Sequence, residues 1–240
     1  MTHTRSTTAM LLALAATLTL VGCGGVKIAP TVTLPKALVG KVPTRVGVVV
    51  AGDMRNYTHS ETRGGVPWTF ELGAGHRKFS LELVALAFAE TEEFADLDAA
   101  RAATGLKAIF EPRIEQYSFA TARETGGEYV AVTIRYRINL FAPDGNRVDS
   151  FTLTGYGNSV AGGMSSGDPL DLASRRAMRD AAAKFLTQFP EQPVALQLAK
   201  GEALVASATP DAALLASNQI IEAVPIFPSR RARAVLPSLP

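Results

Sequence analysis

A single cysteine is the residue of this chain whose chemistry is most clearly indicated. Cys23 is the only cysteine among 240 residues, so the chain can form neither an internal disulfide nor a thiolate metal cluster. An apolar stretch, residues 10–21, precedes it, and the small Gly22 lies between. A stretch of this length suits a secretory signal of ~7–15 apolar residues and falls short of the ~20 that span a bilayer as a helix. The pattern indicates a thiol that is modified rather than one that catalyses.

The residues Leu20-Val21-Gly22-Cys23 look like a bacterial lipobox. They predict that residues 1–22 are a signal peptide and that Cys23 becomes the lipidated first residue of the mature protein. Diacylglycerol with an amide-linked palmitate-type chain anchors stably, because it supplies more than one acyl chain. By resemblance to enterobacterial lipoproteins, Gly24 implies sorting to the outer membrane, facing the periplasm. The alternative is an apolar helix with a buried cysteine, which Gly-Cys-Gly-Gly would continue poorly.

Histidine chemistry is limited to His59 and His76 once the signal is removed. His59 lies close to Glu61, but no metal-ligand spacing accompanies it, and we interpret it as a polar loop histidine. Ser60, His76 and Asp53 could be drawn as a catalytic triad, yet no nucleophile elbow supports one. The sequence therefore predicts no metal site, no cofactor and no catalytic residue, hence a protein that is not an enzyme.

Residues 155–167 are rich in glycine and serine and precede a predicted helix start at Asp168, as phosphate-cradling loops do. They lack both the lysine of a P-loop and the spacing of a dinucleotide fingerprint. A capping aspartate would also repel an anion from the helix start. We interpret these residues as a flexible connector.

Opposite charges alternate along two predicted strands. Glu111, Arg113 and Glu115 share one face of the first, and Arg135 and Arg137 share one face of the second. On neighbouring strands they would form solvated cross-strand pairs. The functional alternative is a charged surface for a partner or an anionic polymer.

Two aromatic residues are candidate partner or ligand contacts. Trp68 is the only tryptophan and lies in the long glycine-bearing segment 53–75, as does Tyr57. Trp68 could be a docking residue or could fill the core. A deep pocket lined by Trp68, Tyr57 and Tyr117 would favour binding of a small molecule or glycan.

The composition is that of a globular chain, with 47% hydrophobic and 19% charged residues. The net charge of +2 and an aromatic content of 7% give no basic, aromatic surface of the kind that binds nucleic acid. The expected partners are the lipid bilayer, through acylated Cys23, and envelope proteins or a second copy of the chain.

The elements predicted to surround these residues begin with a lipidated tether, residues 23–44, which proline and glycine make extended. A continuous β-branched run predicts a buried strand at residues 45–50. Helical periodicity predicts a main helix at about 79–94 and a short one at 96–103. Residues 108–119 read as a strand in which Pro112 indicates a bulge or an edge position.

Strict alternation then predicts a long hairpin at about 129–156, and an apolar stripe predicts a second main helix at about 168–189. The fold class is thus α+β, a mixed or antiparallel sheet packed by two main helices, with the domain at 45–190. Residues 191–240 form a predicted Ala/Pro-rich extension, with a weak helix at about 210–223 and a flexible tail at 225–240.

The order of elements over residues 45–189 resembles the TolB amino-terminal, CsgG, PelC and YajG-type periplasmic lipoprotein domains. The residues that carry the resemblance are 46–50, 98–110, the hairpin around Asp144-Gly145, and the helix 170–189. The resemblance implies a non-catalytic scaffold or accessory subunit in outer-membrane assembly or export. A ligand- or glycan-binding lipoprotein is the alternative, and the long segment 53–75 departs from those families.

Overall fold

Two β-sheets and the helices packed on them make up the fold. The computed structural model describes residues 25–36, 40–162 and 167–206. The predicted signal peptide, Cys23, the helix at 210–223 and the tail at 225–240 lie outside the described residues. The strands are β1 (Val26–Ile28), β2 (Val42–Val49), β3 (Thr58–Arg63), β4 (Val66–Glu71), β5 (Phe88–Phe94), β6 (Ala108–Ala120), β7 (Tyr129–Phe141) and β8 (Arg147–Val160). The helices are α1 (Gly52–Arg55), α2 (Gly73–Ala87), α3 (Leu97–Ala102), α4 (Gly167–Gln188) and α5 (Pro193–Ala199), with a 3-10 turn at Phe189–Glu191.

The larger sheet has the strand order β5-β2-β6-β7-β8. Its first three strands, β5, β2 and β6, run parallel to one another. β7 runs antiparallel to both β6 and β8. The smaller sheet has the order β1-β4-β3, in which β1 is parallel and β3 antiparallel to β4. Mixed sheets with helices confirm the predicted α+β class.

The long hairpin is confirmed as β7 and β8. Its alternating apolar residues face the interior, and each is fully buried: Val130, Val132, Ile134, Tyr136, Ile138 and Leu140. Gly145 adopts a φ of 87° in the connecting turn, a conformation that costs glycine little. Period-two alternation therefore identified both the strand and the face that it buries.

Helices α2 and α4 lie against the same face of the larger sheet. The ring of Phe79 in α2 stacks on Tyr136 at 4.8 Å between centroids, and Phe185 in α4 stacks on Phe151 at 5.8 Å. The predicted apolar stripe of α4 is buried throughout: Leu170, Ala173, Ala177, Ala181 and Phe185. Side chains at helical spacing fill one side of the sheet, as the periodicity predicts.

The first main helix is displaced from its predicted range of 79–94. It starts at Gly73 and ends at Ala87, and residues 88–94 form β5 beside β2. A glutamate-rich stretch has fair helix propensity, but tertiary context overrides it here. Glu92 pairs with Arg45, and Glu93 with Arg77 and Arg55, so the strand conformation places these acids against basic side chains. The helical prediction for residues 88–94 was wrong.

The segment preceding β2 packs on the body instead of projecting from it. β1 pairs with β4, and Ile28, Val32 and Leu34 are buried in the main core. The carboxylate of Glu82 in α2 accepts a hydrogen bond from the Leu34 N–H at 2.8 Å. An extended tether was expected over residues 23–44, but an apolar residue at every second position gives part of that segment a buried face.

Segment 53–75 is likewise structured. It contains α1 and the hairpin formed by β3 and β4. At the other end of the chain, α5 packs Val194 and Leu198 into the core, and Leu204 follows them. The packed body therefore extends on both sides of the predicted 45–190.

The outer edge of β8 is closed by polar side chains of α4. Asp180 accepts the Tyr156 N–H at 2.9 Å, while Lys184 donates to the Thr154 carbonyl at 2.7 Å and Arg176 to the Asn158 carbonyl at 2.6 Å. These side chains take the place of a further strand, because an edge strand otherwise leaves such groups unpaired.

Candidate functional site

The charged residues of β6 and β7 form cross-strand pairs, as the sequence predicts. Arg137 and Arg135 both pair with Glu115, the latter at 3.6 Å. Arg113 pairs with Glu111 at 3.2 Å and with Asp53 of α1. Arg113 and Arg137 are direct register partners, so each cation needs an acid beside it. We call these five strand residues, Glu111, Arg113, Glu115, Arg135 and Arg137, the charged face.

An exposed tyrosine extends the charged face onto β8. Tyr156 is 44% exposed and lies opposite Thr133, diagonal to Arg135 on the same side of the sheet. The Arg135 side chain is 49% exposed. Tyrosine and arginine are enriched where proteins bind one another with high energy per residue. Tyr156 was missed from the sequence, although its position in the alternation of β8 could have revealed it.

Trp68 and Tyr57 lie in and beside an aromatic interior. Trp68 is only 6% exposed, and its ring lies 5.6 Å from that of Phe119. Phe70 fills the centre, 4.7 Å from Tyr117, whose hydroxyl hydrogen-bonds Ser174 of α4 at 2.8 Å. Burial of these rings leaves Trp68 and Tyr117 as packing side chains, not as the lining of an open pocket.

Tyr57 is partly buried, and desolvation raises the pKa of its hydroxyl. Its carbonyl accepts the N–H groups of Leu72 and Gly73 at the start of α2. It therefore joins α1 to the smaller sheet and to α2. A partner contact by Tyr57 or Trp68 remains a prediction.

The residues of the hypothetical triad are engaged separately. Ser60 hydrogen-bonds Thr69, Asp53 pairs with Arg113, and His76 donates to a backbone carbonyl in the interior. His59 lies in β3, not in the polar loop that we expected, with Nε2 3.4 Å from Glu61. Among the described residues, no three His, Cys, Asp or Glu side chains are grouped as metal ligands would be.

His76 supports the edge of β6. β2 pairs with β6 only as far as Phe110, so Pro112 lies on an edge without a neighbouring strand. The His76 Nε2 donates to the Pro112 carbonyl at 2.9 Å, and the sulfur of Met54 accepts the Ile114 N–H at 3.4 Å. Because proline has no N–H, Pro112 forfeits no ladder hydrogen bond at this edge. The structure thus confirms the edge position that the sequence indicated for Pro112.

Burial lowers the pKa of His76 to about 4, and nearby Arg113 acts in the same direction. Its Nδ1 has no hydrogen-bond partner within the described part of the chain. A neutral imidazole that donates through Nε2 is the form this site accepts. A signal for this burial is present in the sequence, since His76, Phe79, Ser80 and Leu83 repeat at helical spacing.

The glycine-rich residues after position 154 are largely strand, not connector. Gly155 and Gly157 lie within β8, where a Cβ on either would collide with the carbonyl of Ala177 or Ala173 in α4. These glycines let helix and sheet approach closely. Residues 155–156 are strand, as the predicted hairpin required, and the predicted flexible connector is wrong for residues 157–160. Residues 163–166 lie outside the described residues.

The chain enters the fold at one end of the molecule. Gly25 lies against Pro67, and Val26 pairs with Trp68 just after the β3–β4 turn. That turn contacts the β6–β7 loop through the Arg63–Glu124 pair at 2.8 Å. We call the β3–β4 turn (residues 64–65), the β6–β7 loop (residues 121–128) and the adjacent end of β8 the loop end.

In the described parts of the chain, no helix combines the length and hydropathy needed to cross a bilayer. No protein-family model matches the chain, and no curated protein matches it.

The weak likenesses to solved structures include the following three. Protein XCC0632 from Xanthomonas campestris, of family DUF330, is 17% identical with a TM-score of 0.40, covering 73% of this chain and 95% of its own. A protein provisionally described as a neuraminyllactose-binding hemagglutinin homolog, from Helicobacter pylori, is 10% identical with a TM-score of 0.42, covering 71% and 97%. A protein provisionally described as a lipoprotein, from Caulobacter crescentus, is 13% identical with a TM-score of 0.28, covering 44% and 76%. At these scores the likenesses carry no argument about function, and the resemblance to TolB, CsgG, PelC and YajG-type domains remains a prediction.

Proposed function

We propose that the protein is an outer-membrane lipoprotein, acylated at Cys23 and facing the periplasm. Its body acts as a non-catalytic scaffold or accessory subunit in envelope assembly or export. The observation that carries the anchoring is the apolar stretch 10–21 that ends in Gly22-Cys23, directly ahead of the folded body. β1 starts three positions after the cysteine, so an acyl group there is attached to the fold itself.

The scaffold role is supported by the outer side of the larger sheet. Arg135 of the charged face, although paired with Glu115, is half-exposed, and the neighbouring Tyr156 is exposed as well; both are of the residue types that anchor interfaces. His76, the one imidazole with a strongly shifted pKa, is committed to a strand edge. A protein surface, either an envelope component or a second copy of the chain, suits this arrangement better than a small ligand.

Fractionation tests the anchor. Cys23→Ser should move the protein from the membrane fraction to the soluble periplasmic fraction, because the thiol is the proposed site of acylation. Cys23→Ala provides a second variant without a nucleophile. Retention of both variants in the membrane would refute the anchor at this residue.

In-cell photocrosslinking tests the scaffold role. A benzoylphenylalanine in place of Tyr156 should give a defined adduct with an envelope protein or with a second copy, and Cys23→Ser should abolish it. The same probe in place of Lys200, which is exposed after α5, is the matched control. If neither Tyr156 nor Arg135 gives an adduct above that control, the scaffold role fails.

A further inference from the structure

The position at which the chain enters the fold determines which surface an anchor at Cys23 would hold near the membrane. Val26 is in parallel register with Trp68, and Gly25 contacts Pro67. Both contacts lie beside the β3–β4 turn, so the polypeptide preceding Gly25 leaves from the loop end. This places the start of the folded body, not a remote surface, beside the anchor.

The loop end is a continuous surface formed by three chain segments. The Arg63–Glu124 pair joins the β3–β4 turn to the β6–β7 loop. Tyr129 pairs with Val160, and the Ala161 N–H donates to the Glu128 carbonyl at 3.0 Å, which brings the end of β8 to the same loop. All three segments therefore face the direction from which the chain enters.

Little side-chain bulk would separate this surface from lipid headgroups. Glycines occupy both turns, at positions 64, 65, 126 and 127. Val160 is 78% exposed and Val66 39%, two of the five large apolar residues that are exposed in the described ranges. Arg123, Glu124 and Glu128 are exposed on the same loop, and Glu124 is paired with Arg63. Apolar tips beside charged side chains are suited to the boundary between headgroups and acyl chains.

The connection between anchor and body is too short for the body to move away. Two residue steps separate Cys23 from Gly25, and a fully extended chain spans at most ~3.6 Å per residue, about 7 Å in total. The opposite end of the sheet is far away, because Arg147 and Val160 are the two ends of β8 and a strand rises ~3.3 Å per residue, roughly 43 Å.

We propose that the loop end is the lipid-facing surface of this protein: acylated Cys23 holds Val66, Val160 and the two glycine turns against the bilayer, with the β7–β8 turn directed away from it. This inference rests on the proposed acylation of Cys23. The charged face and Tyr156 then extend away from the membrane along the side of the molecule, where a partner can reach them.

Depth-dependent quenching tests the orientation. Acylated Cys23 has no free thiol and is the only cysteine, so an introduced cysteine can be labelled selectively with a fluorophore. Arg123→Cys labels the loop end, and Arg147→Cys is a matched control on an exposed arginine at the far end. The full acylated chain is reconstituted into phosphatidylethanolamine–phosphatidylglycerol vesicles that contain a headgroup nitroxide lipid.

Quenching at position 123 should exceed that at position 147 at least threefold. Equal quenching, or stronger quenching at 147, would overturn the orientation. Insertion of 20 Gly/Ser residues between Gly24 and Gly25 should reduce quenching at 123 while the protein stays bound, because a flexible linker of that length spans roughly 25 Å. Unchanged quenching would overturn the role assigned to the short connection.

The Cys23→Ser variant in the same assay distinguishes failure of the proposed acylation from failure of the proposed orientation. If Cys23→Ser releases the protein but position 147 is quenched as strongly as 123, only the orientation fails. If Cys23→Ser protein remains on the vesicles, the proposed acylation is itself refuted and the orientation argument falls with it.

Discussion

Lowering the pH from 7 to 5 is expected to destabilise the domain through the buried imidazole of His76. Burial lowers the pKa of this group from 6.5 to about 4 in the folded protein. Above pH 6.5 neither the folded nor the unfolded state is protonated there. Below it the unfolded chain binds a proton that the folded chain cannot accommodate, so the free energy of unfolding falls until about pH 4.

The magnitude follows from the difference between the two pKa values. At 1.36 kcal/mol per pKa unit, the full loss is roughly 3 kcal/mol, of which about 2 kcal/mol is reached by pH 5. Such a loss is a large fraction of the stability of an ordinary domain. The carboxyls of Glu61, Glu93 and Glu124, whose pKa values are lowered by ion pairs and hydrogen bonds, add their losses only at lower pH, below about 4.5.

Urea denaturation at pH values from 7.5 to 4.5 measures this loss of stability. The protein used is the chain from residue 23 onward with Cys23→Ser, so that it can be purified without lipid. His76→Gln is the control, because an amide can still donate to the Pro112 carbonyl but does not titrate in this range. His59 is present in both proteins, so its contribution cancels in the difference. Parallel stability profiles for the two proteins would refute the assignment of acid sensitivity to His76.

Three further substitutions probe the packing between sheet and helix by the same unfolding measurement. Gly157→Ala should destabilise by about 1–3 kcal/mol, because its Cβ would collide with the Ala173 carbonyl. Gly162→Ala is the control and should change stability by less than about 0.5 kcal/mol, since its Cβ meets Pro169 at an ordinary 3.6 Å. Equal destabilisation by Gly157→Ala and Gly162→Ala would contradict the close approach of α4 to β8. Tyr117→Phe should cost about 1 kcal/mol through its lost bond to Ser174, and an unchanged midpoint would contradict that bond's role.

Local patterns in the sequence were sufficient to predict the hairpin and the second main helix. Ten or more residues of strict alternation in β7, and an apolar stripe over five positions in α4, each bury a face whose period is unambiguous. Asp96 likewise caps α3 as a short helix, with its carboxylate accepting the Ala99 N–H at 2.8 Å.

The prediction failed where a segment's conformation depends on a distant partner. β5 is a strand because β2 lies beside it and arginines from three elements meet its glutamates. β1 is a strand because β4 offers an edge. Both pairing strands are too distant in the sequence to be recognised from a short stretch of residues. In addition, the proline and glycine content of residues 25–44 and 53–75 made both segments resemble loops, although each contains short strands.

The candidate site, too, was predicted only in part from the sequence. The charged face was predicted because a period of two fixes which side chains share a surface, even before the pairing register is known. His76 was named only as a member of an unconvincing triad, although its place in the apolar stripe of α2 already indicated burial. The loop end could not be predicted, since it depends on where β1 docks.

The closing of the β8 edge by Asp180, Lys184 and Arg176 also concerns solubility under crowding. Proteins confined to a membrane surface collide in two dimensions at high local concentration, with their sheets held in similar orientations. An open 14-residue edge would then template strand exchange between neighbouring copies. Ionic side chains from α4 occupy one donor and two acceptors of that edge, at Tyr156, Thr154 and Asn158, so a strand of another copy could pair there only by displacing these bonds.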